Sequence, residues 1–345
     1  MKTCFNSYCL NGIATGCRYC VKGEKLVLFI SGKCSRNCWY CSLSNKRKNI
    51  DKIWANEREI KNTRELIEEV KESNSKGMGI TGGDPLLFID RTIKFCKIAK
   101  KKLGKGFHIH IYLPTKLVDE EKLKESRKYI DEVRLHPEFL ITGDKNKEED
   151  IAKIILTSKI FGKQNTGIEL PLIPEKRREI LDFILQVEEF IEFINLNELE
   201  LSDTNYNQVT RKYKLKEGGY VIARSKEAGL WILDGLKKRK TRLKVHLCTA
   251  DLKNNFQYKN RLKRHKIMKY GKKTEDGTVI YFVADKKLKN RLRNNAYLDK
   301  RKSRLIINPL AVNRLMKDKI KIMRVEEYPT YDRYEAESEL IRASE

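Results

Sequence analysis

The chain has 345 residues, 40% of them apolar, with 73 Lys and Arg against 47 Asp and Glu, a net charge of +26. That apolar share, with three Trp, excludes a disordered chain. No apolar run reaches the roughly 18 residues of a membrane span, and the mean hydropathy is −0.60. The length suits one large domain, or one domain with an extension. Charge of one sign in such excess points to an anionic partner: nucleic acid, an anionic small substrate or an acidic protein.

Residues 1–24 form a Cys-rich head. Seven of the nine Cys lie in the first 41 residues. The opening MKTCFNSYCLNG lacks the apolar core of a secretion signal, so the chain is expected to be cytoplasmic and off the membrane. Clustered Cys in such a chain bind metal more often than they form disulfides.

From Lys25 a regular alternation begins. Lys25–Gly32 (KLVLFISG) reads as a buried strand. Asn62 opens a helix, with Glu65 completing a capping box and Leu66, Ile67 and Val70 on one face. Strands are then expected at 77–81, 107–113, 132–136, 166–172 and 191–197, with helices at 88–103, 118–129, 147–161 and 174–187 between them. Six β-α pairs in about 180 residues imply parallel strands with right-handed crossovers. A closed eight-fold barrel needs about 250 residues. The expectation is an α/β fold: an open, partial (β/α)6 barrel over residues 25–202. Residues 203–345 are read as a mixed α+β basic extension. It holds a helix at 225–238, a strand at 242–248, a basic helix to about 266, and a turn at Glu275-Asp276-Gly277 before a strand at 278–283. Residues 237–273 carry 15 Lys and Arg against the single acid Asp251.

The sharpest chemical signal is Cys34-Ser-Arg-Asn-Cys38-Trp-Tyr-Cys41, placed directly after the first strand. Three thiolates at this spacing converge on one site if the backbone wraps around it, and thiolates suit zinc or an iron–sulfur cluster. A four-iron cluster held by three Cys keeps one iron open for another ligand. A competing pattern is a zinc ribbon, because Cys17-x2-Cys20 and Cys38-x2-Cys41 are separated by 17 residues. That pattern leaves Cys34 unused and puts an apolar strand where a ribbon has its hairpin. Its functional counterpart is a zinc-dependent nucleic-acid-binding protein.

The motif resembles the CxxxCxΦC signature of the radical S-adenosylmethionine (SAM) superfamily, with Tyr40 at the aromatic position. Gly82-Gly83-Asp84-Pro85 follows the second strand, where that family carries a GGE-like motif. Asp84 is one methylene shorter than the usual Glu. The resemblance covers about residues 20–200. It is closest to the pyruvate formate-lyase activating enzyme-like branch, in particular its archaeal relatives. It implies a [4Fe-4S] cluster on Cys34, Cys38 and Cys41, and SAM held by Tyr40 and the Gly82, Gly83, Asp84 and Pro85 loop. It implies reductive cleavage of SAM to a 5′-deoxyadenosyl radical, and an external electron donor of ferredoxin or flavodoxin type.

Parallel strands covered on both faces are normally apolar throughout. Here period-2 geometry puts His108, His110 and Tyr112 on one face of a strand, Arg134 and His136 on the next, then Glu169, then Asn195 and Asn197. A polar lumen is expected, with His108, Arg134, Glu169 and Asn195 facing SAM or substrate. No residue is assigned as catalytic.

A second metal site is expected from Cys17, Cys20, His246 and Cys248, a Cys3His zinc complement. Cys4, Cys9, Cys17 and Cys20, or an auxiliary iron–sulfur cluster, are alternatives, and free thiols are another. Arg261, Lys263 and Arg264 lie in a basic tract with interleaved aromatics, compatible with phosphate contacts and base stacking. Three substrates remain open: an RNA base, the backbone of a protein partner, and a small anionic metabolite.

Overall fold

The computed structural model describes residues 1–217 and 219–341. The chain divides into two compact units: Met1–Lys71 with Ser75–Tyr258, and Glu72–Asn74 with Lys259–Glu345.

In the first unit the head supplies β1 (Tyr8–Leu10) and α1 (Thr15–Val21), and β2 (Lys25–Phe29) follows. A hairpin of β3 (Ile53–Ala55) and β4 (Arg58–Ile60) leads to α2 (Thr63–Glu72). Strand and helix then alternate: β5 (Gly77–Thr81), α3 (Ile89–Leu103), β6 (His108–Pro114), α4 (Glu120–Arg127), β7 (Glu132–His136), α5 (Lys147–Phe161), β8 (Thr166–Leu172), α6 (Arg177–Val187), β9 (Phe193–Glu198), α7 (Ser225–Lys238) and β10 (Lys244–Cys248). At the start of α2, Asn62 Oδ1 accepts from Glu65 N at 3.1 Å, and the Glu65 carboxylate reaches back to Lys61 N at 2.6 Å. The Asn62 half of the expected capping box is therefore formed, while Glu65 closes on the amide one residue before Asn62 and not on Asn62 N.

The sheet runs β1-β10-β9-β8-β7-β6-β5-β2-β3-β4. Among the described residues, β2 and β5 to β10 pair in parallel, and β1, β3 and β4 add antiparallel edges. The partial α/β barrel stands, with one correction. It has a seventh parallel strand, and the unit runs to Tyr258 rather than closing at 202. The aperiodic stretch after Ser202 hides this, because α7 and β10 form one more crossover behind it.

Period-2 alternation divides each strand between two environments. Leu26, Ile80, Ile111, Leu135, Ile168 and Leu196 are fully buried on the outer, helix-facing side. Each such side chain contributes about 1.5–3 kcal/mol relative to exposure. The other face points inward and is polar. His110 pairs in register with Gly79, Tyr112 with Arg134, Glu169 with Asn195, and Asn195 with His246. Helix α1 packs against the lumen end where these strands begin. Gly16 N donates to Glu132 Oε2 at 3.0 Å, and Arg134 Nη2 lies 3.3 Å from the Cys17 sulfur.

The second unit is an antiparallel sheet of β11 (Lys272–Lys273), β12 (Val279–Asp285), β13 (Ala296–Asp299), β14 (Arg304–Ile307), β15 (Met323–Glu327) and β16 (Glu335–Leu340). Ile307, Ile322 and Leu305 pack its core. Buried Asp299 and Glu327 are ringed by Arg304, Arg333 and Lys302. The turn expected at 275–277 is present, with Gly277 at φ 91°.

Burial holds the imidazoles of His108 and His110 below their usual range, and brings His136 and His246 to about 4. The unfolded chain takes up these protons near pH 6.5, while the folded one refuses them until lower pH. Stability is therefore full above about pH 6.5 and falls as the pH drops towards 4, by at most about 1.4 kcal/mol per pH unit per group. Urea unfolding at pH 7.5 and pH 5 is expected to show that loss, and His110→Gln is expected to flatten it. Equal midpoints at both pH values would contradict this account.

Candidate active site

Beyond Phe29 the chain leaves the sheet and wraps Cys34, Cys38 and Cys41 over the ends of the strands. This loop is tied to the one after β5 by backbone bonds. Gly83 N donates to Ser31 O at 2.8 Å and Asp84 N to Lys33 O at 3.0 Å. Only glycine fits here. Gly82 has φ +148°, and a Cβ on Gly83 would stand 2.1 Å from the Lys33 carbonyl oxygen. Asp84 completes the tie: its Oδ2 accepts from Ser35 Oγ at 2.6 Å, and its Oδ1 caps Leu86 N at 3.0 Å. Pro85 is buried at the first position of the turn that Asp84 caps.

Two further anchors hold the cysteine loop. Arg36 donates to His136 O at 2.7 Å and to Thr115 Oγ1 at 2.5 Å, and pairs with Glu138 at 3.3 Å. From the stretch after β9, Asn205 donates to Tyr40 O at 3.2 Å, and Thr204 donates to Cys41 O at 3.2 Å and to Leu43 O. Trp39 stacks on Tyr213 with centroids 6.0 Å apart. Sequence reasoning missed Arg36, Thr204 and Asn205. Arg36 lies inside the motif, but nothing marks its role. Thr204 and Asn205 lie in a stretch with no periodic pattern.

Beneath the loop is a cavity of about 470 Å³ at the C-terminal ends of the strands. Cys34, Cys38, Cys41, Tyr40, Gly82 and Gly83 line it from the loops, and Lys25, Tyr112, His136, Glu169 and Asn197 line it from the strands. The cysteines form no disulfide. Burial raises the Cys34 thiol and brings Cys38 to about 11. Three unbridged thiols sharing one chamber fit a cluster that keeps an open coordination position.

The buried Tyr40 hydroxyl lies 2.9 Å from His136 Nε2, and His136 Nδ1 lies 2.8 Å from Glu169 O. A carbonyl oxygen only accepts, so Nδ1 carries the proton and Nε2 accepts from Tyr40. Burial opposes the charge on Glu169. Arg134 Nη1 at 3.2 Å, Asn197 at 2.8 Å and Asn195 at 3.0 Å overcome that, and its carboxyl stays below the usual range.

The sequence-predicted residues therefore separate. Cys34, Cys38, Cys41, Tyr40, Gly82, Gly83 and Glu169 share the chamber. Asp84 and Pro85 shape the loop that lines it. Three assignments need correction. Arg134 is fully buried and held by Glu132 at 2.6 Å and Glu169, and Asn195 bonds Glu169 and the Cys17 sulfur. Both build the lumen from below instead of lining the chamber. His108 stands at the start of its strand, in a separate cavity at the opposite mouth with Tyr19, Glu132 and Lys244. Strand direction explains this, since His108 begins β6 and its short side chain stays at that mouth, whereas Lys25, level with it at the start of β2, has a side chain long enough to line the chamber.

Among the described residues neither the expected zinc set of Cys17, Cys20, His246 and Cys248 nor Cys34, Cys38 and Cys41 is gathered as a single ion requires. The two sets differ in the partners that their side chains have. The Cys17 sulfur meets Asn195 and Arg134, and His246 Nε2 meets Ser7 Oγ at 3.0 Å. The Cys248 sulfur lies 3.9 Å from Gln257 Nε2. Arg261, Lys263 and Arg264 belong to the second unit. Of these three only Lys263 is exposed, and Arg264 donates to Asn74 O at 2.6 Å.

Residues 28–187 match the radical SAM superfamily. A Methanocaldococcus jannaschii protein named as a glycyl-radical enzyme activating enzyme is 42% identical over 275 residues, covering 77% of this chain and 72% of that one. A 7-carboxy-7-deazaguanine synthase from Clostridium acetobutylicum is 36% identical over 72 residues, covering 19% of this chain and 28% of that one. Among solved structures, the radical SAM coproporphyrinogen III oxidase of Escherichia coli aligns with a TM-score of 0.37 and 14% identity, over 59% of this chain and half of that one. No helix among the described residues is long and apolar enough to cross a membrane. The chain is an enzyme that uses a [4Fe-4S] cluster and SAM, and it belongs to the radical SAM superfamily, in the branch of activating enzymes like that of pyruvate formate-lyase.

Proposed function

We propose that the enzyme abstracts a hydrogen atom from the backbone of a glycine in a partner protein, leaving a glycyl radical. The observation that carries this reading is the 42% identity, across most of both chains, to a protein named for that activation. Cys34, Cys38 and Cys41 are the ligands we assign to the cluster. When bound, the cluster supplies one electron to SAM, whose cleavage yields the 5′-deoxyadenosyl radical. The chain's own residues do the positioning. Gly82 and Gly83 bring backbone against the chamber, and Asp84 fixes that backbone to the cysteine loop through Ser35. Tyr40 and His136 close one wall with a neutral hydrogen bond, so no proton is offered there. We assign the electron supply to a small ferredoxin- or flavodoxin-like donor.

An RNA substrate is the second reading. It is favoured by the exposed Lys263, Lys266, Lys269 and Lys272 of the second unit. A tRNA affinity that falls steeply between 50 and 200 mM salt, and weakens when these four lysines are neutralised, would support it. Affinity indifferent to salt would remove it.

Two outcomes test the main reading. Anaerobically reconstituted protein is expected to hold about four irons per chain and to release 5′-deoxyadenosine under dithionite. Cys38→Ala is expected to lose both. A glycyl-radical spectrum is expected on a co-encoded partner protein after incubation with SAM. Zinc in place of iron, with no 5′-deoxyadenosine, would defeat the chemistry. Cleavage of SAM without any radical on the partner would defeat the choice of substrate.

Asp84→Ala removes the cap and the Ser35 bond together. It is expected to lower stability by about 1–2 kcal/mol and to weaken SAM binding, with Asp84→Asn retaining part of both. Unchanged SAM affinity by equilibrium dialysis would show that the tie between the two loops does not shape the site.

A further inference from the structure

The cysteine loop has two faces, and they differ. Cys38, Tyr40 and Cys41 line the chamber. Trp39, between them, turns the other way and stacks on Tyr213. The Lys212 ammonium lies 4.8 Å from the centroid of the Trp39 ring. The return arm of the loop is joined to the same stretch, since Asn45 N donates to Asp203 Oδ2 at 2.9 Å. Lys46, one residue on, and the stretch that carries Lys212 thus belong to one outer surface.

That surface is built from acid-free sequence. Residues 31–50 hold five Lys and Arg, residues 204–216 hold four, and neither stretch holds an Asp or Glu. Lys46, Arg211, Lys212, Lys214 and Lys216 are exposed. Asp203 and Glu217 flank the second stretch in the sequence, and Asp203 is committed to Asn45 N. Glu175 interacts with the Tyr213 hydroxyl. Elsewhere on this unit, exposed helix lysines meet a carboxylate one turn away, as Lys124 does with Glu120 and Lys238 with Asp234. Among the described residues, Lys46, Lys212 and Lys214 meet none within ion-pair distance.

A solvated face needs charge, but not charge of one sign around an aromatic ring. The position of the patch gives it a use. Trp39 is joined to Cys38 by one peptide bond, so a body resting on its ring comes close to the cysteines without entering the chamber. Electron transfer falls steeply with distance, so the outer face of this loop is a short way in while SAM and substrate fill the inner face. Redox partners meet through small, weakly held interfaces, and opposite charge steers the encounter.

We propose that Trp39, Lys46, Lys212 and Lys214 form the docking surface for a small acidic protein that donates one electron. The donor is oxidised by one electron, and the cluster assigned to Cys34, Cys38 and Cys41 is reduced by the same one. The proposal rests on that assignment and is independent of the substrate.

The test uses reconstituted protein and an acidic two-cluster ferredoxin. Affinity is measured by calorimetry, and 5′-deoxyadenosine release is measured with the reduced ferredoxin or with reduced methyl viologen, a small cation. The triple variant Lys46→Glu, Lys212→Glu, Lys214→Glu is expected to lower ferredoxin affinity and ferredoxin-driven release about ten-fold or more at low salt. The gap is expected to narrow as salt rises from about 50 to 200 mM. Iron content and viologen-driven release are expected to match the parent. Lys101→Glu, Lys102→Glu, Lys105→Glu makes the same change in net charge on exposed residues away from the loop, and is expected to leave ferredoxin binding intact. An equal loss in both triple variants, or no loss in the first, would overturn the proposal. So would a first variant that loses tRNA affinity but keeps that for ferredoxin, since the patch would then be an RNA surface. Should the first variant fold poorly or lose iron, Lys212→Gln and Lys214→Gln, each made singly, carry the same comparison. If the parent releases no 5′-deoxyadenosine with methyl viologen, the chemistry assigned above fails, and ferredoxin affinity alone decides on the surface.

Discussion

Arg134 is fully buried, and the lumen of this barrel is organised around its charge. Glu132 lies 2.6 Å from it and Glu169 3.2 Å, from the same strand and the next. A buried set of this kind adds little to stability, because desolvation offsets most of the attraction. Apolar residues of similar volume would pack the same strands without that penalty. What the charges secure is a lumen that stays polar and open at one end. Glu169 is fixed by Arg134 from below and by Asn195 and Asn197 from the side, so its carboxylate reaches the chamber in one orientation. Helix α1 brings Gly16 and Cys17 onto the same network at the other end.

The chamber itself depends on two loops behaving as one body. The cysteine loop follows β2 and the glycine loop follows β5, and these strands are neighbours in parallel register, with Phe29 opposite Thr81. The shared register brings Ser31 and Lys33 carbonyls to the Gly83 and Asp84 amides. The shorter acid at position 84 makes sense in this arrangement. One methylene less lets the carboxylate fold back onto Leu86 N while its second oxygen still meets Ser35. Asp84 therefore acts through the loop it positions, not by lining the cavity.

Much of this was legible in the sequence, for physical reasons. Thiol spacing and the GGDP turn are local, and their chemistry depends on a few consecutive residues. The lumen face was readable because a strand has period 2, and polar residues at alternate positions of parallel strands mark a wet interior. Depth along the strand was not readable. His108 and His136 look equivalent in the sequence, yet one opens its strand and the other ends its own, which puts them in cavities at opposite mouths. The partners of Cys17 and His246 were not readable for a related reason. Ligand spacing gives candidates, but Asn195, Arg134 and Ser7 come from distant parts of the chain and engage the Cys17 sulfur and the His246 ring nitrogen. The helix and strand at 225–238 and 242–248 were readable, but their place as the barrel's last crossover and seventh parallel strand was hidden by the irregular stretch before α7.

That irregular stretch also explains how the cysteine loop is held without regular structure of its own. Arg36 fastens it to the ends of β6 and β7, through Thr115, His136 and Glu138. Thr204 and Asn205 fasten its other side by donating to the carbonyls of Tyr40, Cys41 and Leu43. Every one of these bonds goes to backbone or to the flanking arginine, and none uses a cysteine sulfur. Within the loop Arg36 N donates to the Cys34 sulfur at 3.4 Å, a bond that a metal-bound thiolate can also accept, so the chain around the sulfurs is fixed without denying them to metal. Each of these anchors is made by the chain's own residues, so part of the entropy of ordering the site is lost in folding and is not left for the metal to offset.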